Sequence, residues 1–196
     1  MSARMTLFSG LAFACALAAS LAGFSFSVEA KDEPPSQAVA KLQALDPFLG
    51  EWVGTTATEV GQKPLQVKAS YKKILNGTCI EYETEVRAGD EPDQMMTQKA
   101  LIGWDKTTGM LRAWGFRSNG QRWEASWDPD KEKNPAPGTK VWVSEYVWFM
   151  PDGDDQTGTS IKTVKGKDSY TESITHRMGD GNEPLNLPVI EYKRQK

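Results

Sequence analysis

One histidine and two cysteines are all that these 196 residues offer to soft-metal or thiol chemistry. Zinc sites want three or four nitrogen and sulfur ligands, so none is expected. Histidine-dependent nucleophilic catalysis needs a base within hydrogen-bond reach of its nucleophile, and no Ser or Cys pairs with His176 at a readable spacing. A phosphate-binding loop is also missing: Lys165-Gly166-Lys167-Asp168-Ser169 has neither the spacing nor a following helix. Basic clusters are absent. Lys and Arg number 23 against 26 Asp and Glu, a net charge of −3 with the signs interspersed, which argues against nucleic acid or anionic lipid as partners. Past residue 30 no apolar run is long enough to span a bilayer as a helix. No helical crossovers separate the strand-like segments, so a parallel α/β sheet is excluded.

What is present begins with a secretory pattern. Arg4 precedes a nearly uncharged stretch, residues 5–28, and Val28-Glu29-Ala30 places small residues where a signal peptidase cuts. Residues 1–30 read as a signal peptide cleaved after Ala30, implying an exported protein, periplasmic or extracellular. A retained anchor is the alternative, and Gly, Ser and Ala dilute the stretch against it. A lipoprotein reading at Cys15 is weakened by Phe13, bulky where small residues are expected. Cleavage leaves Cys79 as the single thiol, expected as a small, partly buried strand residue. Disulfides therefore do not staple this fold.

Residues 31–46 form a charged leader and one short helix, with Ser36 as its cap and Val39, Leu42 and Leu45 at helical spacing. Asp46-Pro47 stops it. Residues 47–196 then carry only strand and turn signals. Leu65, Val67, Ala69 and Tyr71 alternate with polar residues up to Asn76-Gly77, a two-residue hairpin signal. The returning strand puts Ile80, Tyr82, Thr84 and Val86 on one face and Glu81, Glu83 and Glu85 on a solvated one. Further strands are expected over 96–104, 110–117, 121–127, 140–150, 158–164, 169–178 and 189–193, with a Pro-rich loop at 128–138. About ten short antiparallel strands need closure or a second sheet to hide their edges. An up-and-down β-barrel satisfies this, and a β-sandwich is the runner-up.

Three segments carry a resemblance. Asp46-Pro47-Phe48-Leu49-Gly50-Glu51-Trp52-Val53-Gly54 resembles the opening of lipocalin-like (calycin-type) bacterial domains of unknown function. Ile102-Gly103-Trp104-Asp105-Lys106-Thr107-Thr108-Gly109 is similar to their middle turn, and Pro188-Val189-Ile190-Glu191-Tyr192-Lys193-Arg194 to their closing hairpin. More distantly, the opening resembles the nitrobindins, haem-binding β-barrels whose iron is held by a His near the C-terminus. That likeness implies His176 as a haem ligand, although His176 falls one strand early. Turn motifs of this kind speak for architecture rather than chemistry.

The candidate site is aromatic. Trp104, Trp114, Phe116, Trp123, Trp127 and Tyr146 are expected to wall a pocket for one small apolar or amphipathic ligand, with Arg112 fixing its orientation. Core filling is the competing outcome. Without a ligand, the barrel would be a structural or interaction domain of the envelope, since Val141, Val143, Val147 and Phe149 make a second apolar face on 140–150. Asp152, Asp154 and Asp155 read as a solvated turn rather than a cation loop. Asn76-Gly77-Thr78 matches a glycosylation acceptor but is better explained as a turn. No metal is expected, and no catalytic residue stands out.

Overall fold

A computed structural model describes residues 36–56, 64–88, 95–131, 133–136, 139–151, 153–178 and 183–196. The expected signal peptide, its cleavage point, Cys15 and Asp152 lie outside these residues.

Helix α1 spans Gln37–Leu42, and the Ser36 hydroxyl accepts from the Val39 N–H at 3.4 Å, as the cap reading requires. The helix does not end at Asp46-Pro47. It tightens into a 3₁₀ helix over Gln43–Phe48 with Pro47 inside it. The residue before a proline is steered away from the α region. The apolar residues suit the change: Leu42, Leu45 and Phe48 recur every third position, the 3₁₀ period, and all three are buried. This segment plugs one end of a barrel. Gly50 follows at φ 110°, a conformation that L side chains avoid, and turns the chain into the first strand.

Twelve strands follow: β1 (Gly50–Thr56), β2 (Leu65–Ile74), β3 (Cys79–Ala88), β4 (Met95–Asp105), β5 (Met110–Arg117), β6 (Arg122–Trp127), β7 (Lys133–Ala136), β8 (Thr139–Phe149), β9 (Gln156–Lys165), β10 (Ser169–Met178), β11 (Leu185–Asn186) and β12 (Ile190–Arg194). Strands β1 to β6 pair in chain order, β6 pairs β8, β8 pairs β9, β9 pairs β10, β10 pairs β12, and β12 returns to β1. The result is a closed, antiparallel, up-and-down barrel of ten strands with one short helix. β7, within the expected Pro-rich loop, adds to the edge of β8, and β11 pairs with β10.

One local reading changes and one is borne out. Asn76-Gly77 does mark a hairpin, but Ile74 pairs Cys79, so the loop holds four residues. Leu75, Asn76 and Gly77 take positive φ in succession, a run that Asn and Gly accommodate best. The turn at residues 105–109 is held by its own side chains. The Asp105 carboxylate accepts from the Thr107 N–H at 2.9 Å and the Thr108 hydroxyl at 2.9 Å, and Gly109 closes the turn at φ 67°. The Thr108 hydroxyl, then the Thr107 amide, pull the Asp105 pKa down.

The plugged end is densely aromatic. Trp52, Tyr170, Tyr192 and Phe48 are almost wholly buried. Tyr170 stacks on Tyr192 at 4.2 Å, and Phe48 meets Trp142 and Tyr170 edge-on at 4.8 and 5.2 Å. Such pairs contribute about 0.5–1.5 kcal/mol each beyond their burial. The Trp52 indole donates to the Phe48 carbonyl at 2.7 Å, fastening the plug to β1.

Candidate functional site

Above the plug the barrel holds a cavity of about 280 Å³. Leu45 and Phe48 form its floor. Tyr82, Trp123, Trp127, Trp142, Tyr146 and Trp148 form most of its wall. Half-buried Leu65, Met96, Gln98 and Leu187 ring the end farthest from the plug. An apolar cavity of about 150 Å³ holds benzene, so this one suits a molecule of about a dozen non-hydrogen atoms. The indole N–H groups of Trp123, Trp127 and Trp142 are buried with no acceptor among the described residues. Native cores leave few such donors.

Of the expected wall, Trp123, Trp127 and Tyr146 border the cavity. Trp104 does not. It packs at the plugged end with the Lys41 ammonium 5.3 Å from its ring centroid. The expected inward face of β5 is the outer one. Trp114 and Phe116 are 42% and 61% exposed. Arg112 lies beside them with Glu124 at 3.0 Å and Asp105 at 3.5 Å, and its guanidinium sits 5.7 Å from the Trp114 ring centroid. Leu111, Ala113 and Gly115 face inward instead. The physical reason is the neighbouring strand: Gly115 pairs with Trp123, whose large ring needs the space. A Cβ on Gly115 would fall 2.3 Å from that ring. Gly115→Ala is therefore expected to push Trp123 into the cavity and to lower the unfolding free energy by about 1–3 kcal/mol in a urea titration.

His176 is 5% exposed, and both of its ring nitrogens are taken. Nδ1 is 3.1 Å from the Tyr146 hydroxyl and Nε2 is 2.8 Å from Gln156 Oε1. Trp148 packs on the imidazole at 4.6 Å. Burial, then the nearby Arg117 charge, hold its pKa below the usual value, so the neutral ring is the resident form at neutral pH. Tyr146 and Trp148 border the cavity and His176 does not. An iron at His176 would have to displace Gln156 or Tyr146, so the residues here do not fit a haem as they stand.

Two charged features lie outside the expected site residues. Glu172 is 7% exposed inside the barrel. It accepts from Ser160 Oγ at 2.6 Å and from the Tyr192 hydroxyl at 3.3 Å, and it pairs with the Lys162 ammonium. Burial alone would raise its pKa. Lys162 first, then the hydroxyls, outweigh that and hold it below the ordinary value, so the carboxylate stays ionised. The signal was present: Glu172 shares a face with Tyr170, Ile174 and His176 by alternation. Arg117, the last residue of β5, also borders the cavity. Its guanidinium lies 3.7 Å from the Trp148 ring centroid, and Nη1 donates to Gln121 Oε1 at 3.3 Å.

Elsewhere, Cys79 is a half-buried free thiol. Asp155 accepts from the Met150 N–H at 3.3 Å, a turn contact. On the outer face of β8, Val143 is 42% exposed.

No family model matches this chain. No curated protein matches it either.

Proposed function

We propose that this chain is an exported, lipocalin-like binding protein that carries one small, mostly apolar or amphipathic molecule inside its barrel. The aromatic cavity inside the barrel supports the reading. A ten-stranded barrel of this kind has room either for packed side chains or for one ligand, and about 280 Å³ remains here after the side chains are placed. Aromatic walls with few polar groups are the usual lining of such sites. Binding would come from removing apolar ligand surface from water. No acid and base converge on the cavity with free valences among the described residues, because the Glu172 carboxylate is already engaged by Lys162, Ser160 and Tyr192. Binding rather than catalysis is the reading this favours.

The test is native mass spectrometry of the protein purified from its own host, followed by titration of the stripped protein with decan-1-ol. The expected polypeptide mass is that of a chain starting at Lys31, with added mass of a small lipid-like molecule on the intact fold. Saturable decanol binding is expected in the stripped protein. A bare polypeptide that also fails to bind decanol overturns the proposal. A haem mass would redirect attention to His176.

A further inference from the structure

We propose that the cavity selects amphipathic anions, with Arg117 as the group that receives the anionic head. This rests on the cavity being a binding site, as proposed above.

Arg87 and Arg177 are exposed to solvent, and the remaining arginines of the barrel differ in one respect. Arg112 has Glu124 and Asp105, Arg122 has Glu124 within 3.8 Å, and Arg194 has Asp168 within 3.4 Å. Arg117 has no carboxylate within ion-pair distance among the described residues, yet it is the arginine that borders the cavity. Its described partners are a neutral amide, Gln121, and the face of Trp148. Its Nε is buried without an acceptor, and Nη2 makes no hydrogen bond among the described residues. A partly buried guanidinium without a counter-charge is costly to keep. An incoming carboxylate or sulfonate would supply that charge and accept two parallel hydrogen bonds from the planar fork.

The other charges near the cavity do not compete. Lys162 is already paired with Glu172, so that couple contributes no net charge. Arg117 leaves the lining with a surplus of one positive charge. Trp148 lies against the guanidinium at 3.7 Å, a contact that helps hold it in place before the ligand arrives. Tyr146, Tyr82 and His176 are the titratable groups near Arg117; both tyrosines stay protonated, because burial raises the Tyr146 pKa to about 12 and moves Tyr82 the same way, and His176, lowered by burial and by Arg117, stays neutral.

The placement also defines the pose. Arg117 lies at the rim end of β5, and Leu111 at the plugged end of the same strand. Six residues of strand measure about 20 Å, enough for an extended chain of about ten carbons. The head would sit at Arg117 and the tail would run past Trp123 to Trp127 and Phe48. Fatty acids and other chain anions share this chemistry.

Matched probes test it: decanoate, decan-1-ol and decyltrimethylammonium, titrated calorimetrically at about pH 8 into the stripped protein and into Arg117→Gln and Arg117→Lys. Charge-assisted contacts of this kind are worth about 10- to 100-fold in affinity. Decanoate is expected to bind the unaltered protein that much more tightly than decanol, and the cation more weakly than either. Arg117→Gln should erase the preference by weakening decanoate far more than decanol, and Arg117→Lys should keep part of it. If decanol binds as tightly as decanoate, the cavity reading survives and the role of Arg117 is overturned. An Arg117→Gln variant that weakens both probes equally overturns that role as well. If no probe binds, both readings fall together.

Discussion

Lys162→Met should lower the unfolding free energy by about 3–5 kcal/mol at neutral pH, because it leaves the Glu172 carboxylate buried without its counter-charge. Urea titration gives the number. Removing both charges together, as Lys162→Met with Glu172→Leu, should recover most of the loss, since a buried pair and a well-packed apolar pair are often close in stability. The pH dependence follows from the direction of each shift. In the unaltered protein the Glu172 pKa lies below the ordinary value of 4.5, so its stabilisation is full above that value and is lost as pH falls through the folded pKa. In Lys162→Met the same carboxyl is raised by burial. Its penalty is present at neutral pH and disappears below the unfolded pKa. The gap between the two proteins should therefore narrow as the solution is acidified. A gap that stays constant from neutral pH down to about pH 4 would show that Glu172 does not depend on Lys162.

Trp52→Ala is the second large effect. The side chain is 1% exposed, meets Tyr170 edge-on at 4.8 Å and carries the Arg194 guanidinium 4.1 Å from its ring centroid. Truncation of such a ring costs about 3–5 kcal/mol. For a domain of this size each kcal/mol lowers Tm by about 2–4 °C. Trp52→Phe separates volume from the hydrogen bond. It keeps an aromatic ring but leaves the Phe48 carbonyl without its donor, and it should cost about 1–3 kcal/mol. Equal losses in the two variants would mean that the bond to the plug, rather than the ring, holds this end together.

The strands and most of their faces are legible because polar and apolar residues alternate cleanly. Val67, Ala69 and Tyr71 in β2, Ile80, Tyr82 and Thr84 in β3, and Trp123, Ala125 and Trp127 in β6 are all buried as alternation requires. In β5 side-chain size is a false guide to burial. Its large residues, Trp114 and Phe116, face out, and the interior takes Ala113 and Gly115 so that Trp123 can fit from the adjacent strand. That fit is a property of two strands in register, and no single strand displays it. In β9, too, side-chain type is a poor guide to burial. Ser160 and Lys162 face inward while Ile161 is 38% exposed, because Glu172 on β10 gives the lysine a partner inside. Arg117 gives no signal in the sequence, since a charged residue at the end of a strand ordinarily belongs to a turn. Its meaning depends on Trp148, which lies much later in the chain and reaches it only when β8 joins the barrel.

The closure of the barrel sets an order on its folding. β1 has β2 as a local neighbour, but its other edge is filled by β12, and Arg194 bonds the carbonyls of Leu49 and Pro47 across 145 and 147 positions. Contacts between such distant segments are slow to form. Until residues 190–194 arrive, one edge of β1 stays bare and so does part of β10. An open edge is a template for pairing with a second chain. The hazard of misassembly thus belongs to the interval before closure, and the rate of that last pairing step, more than the final stability, governs how much chain escapes it.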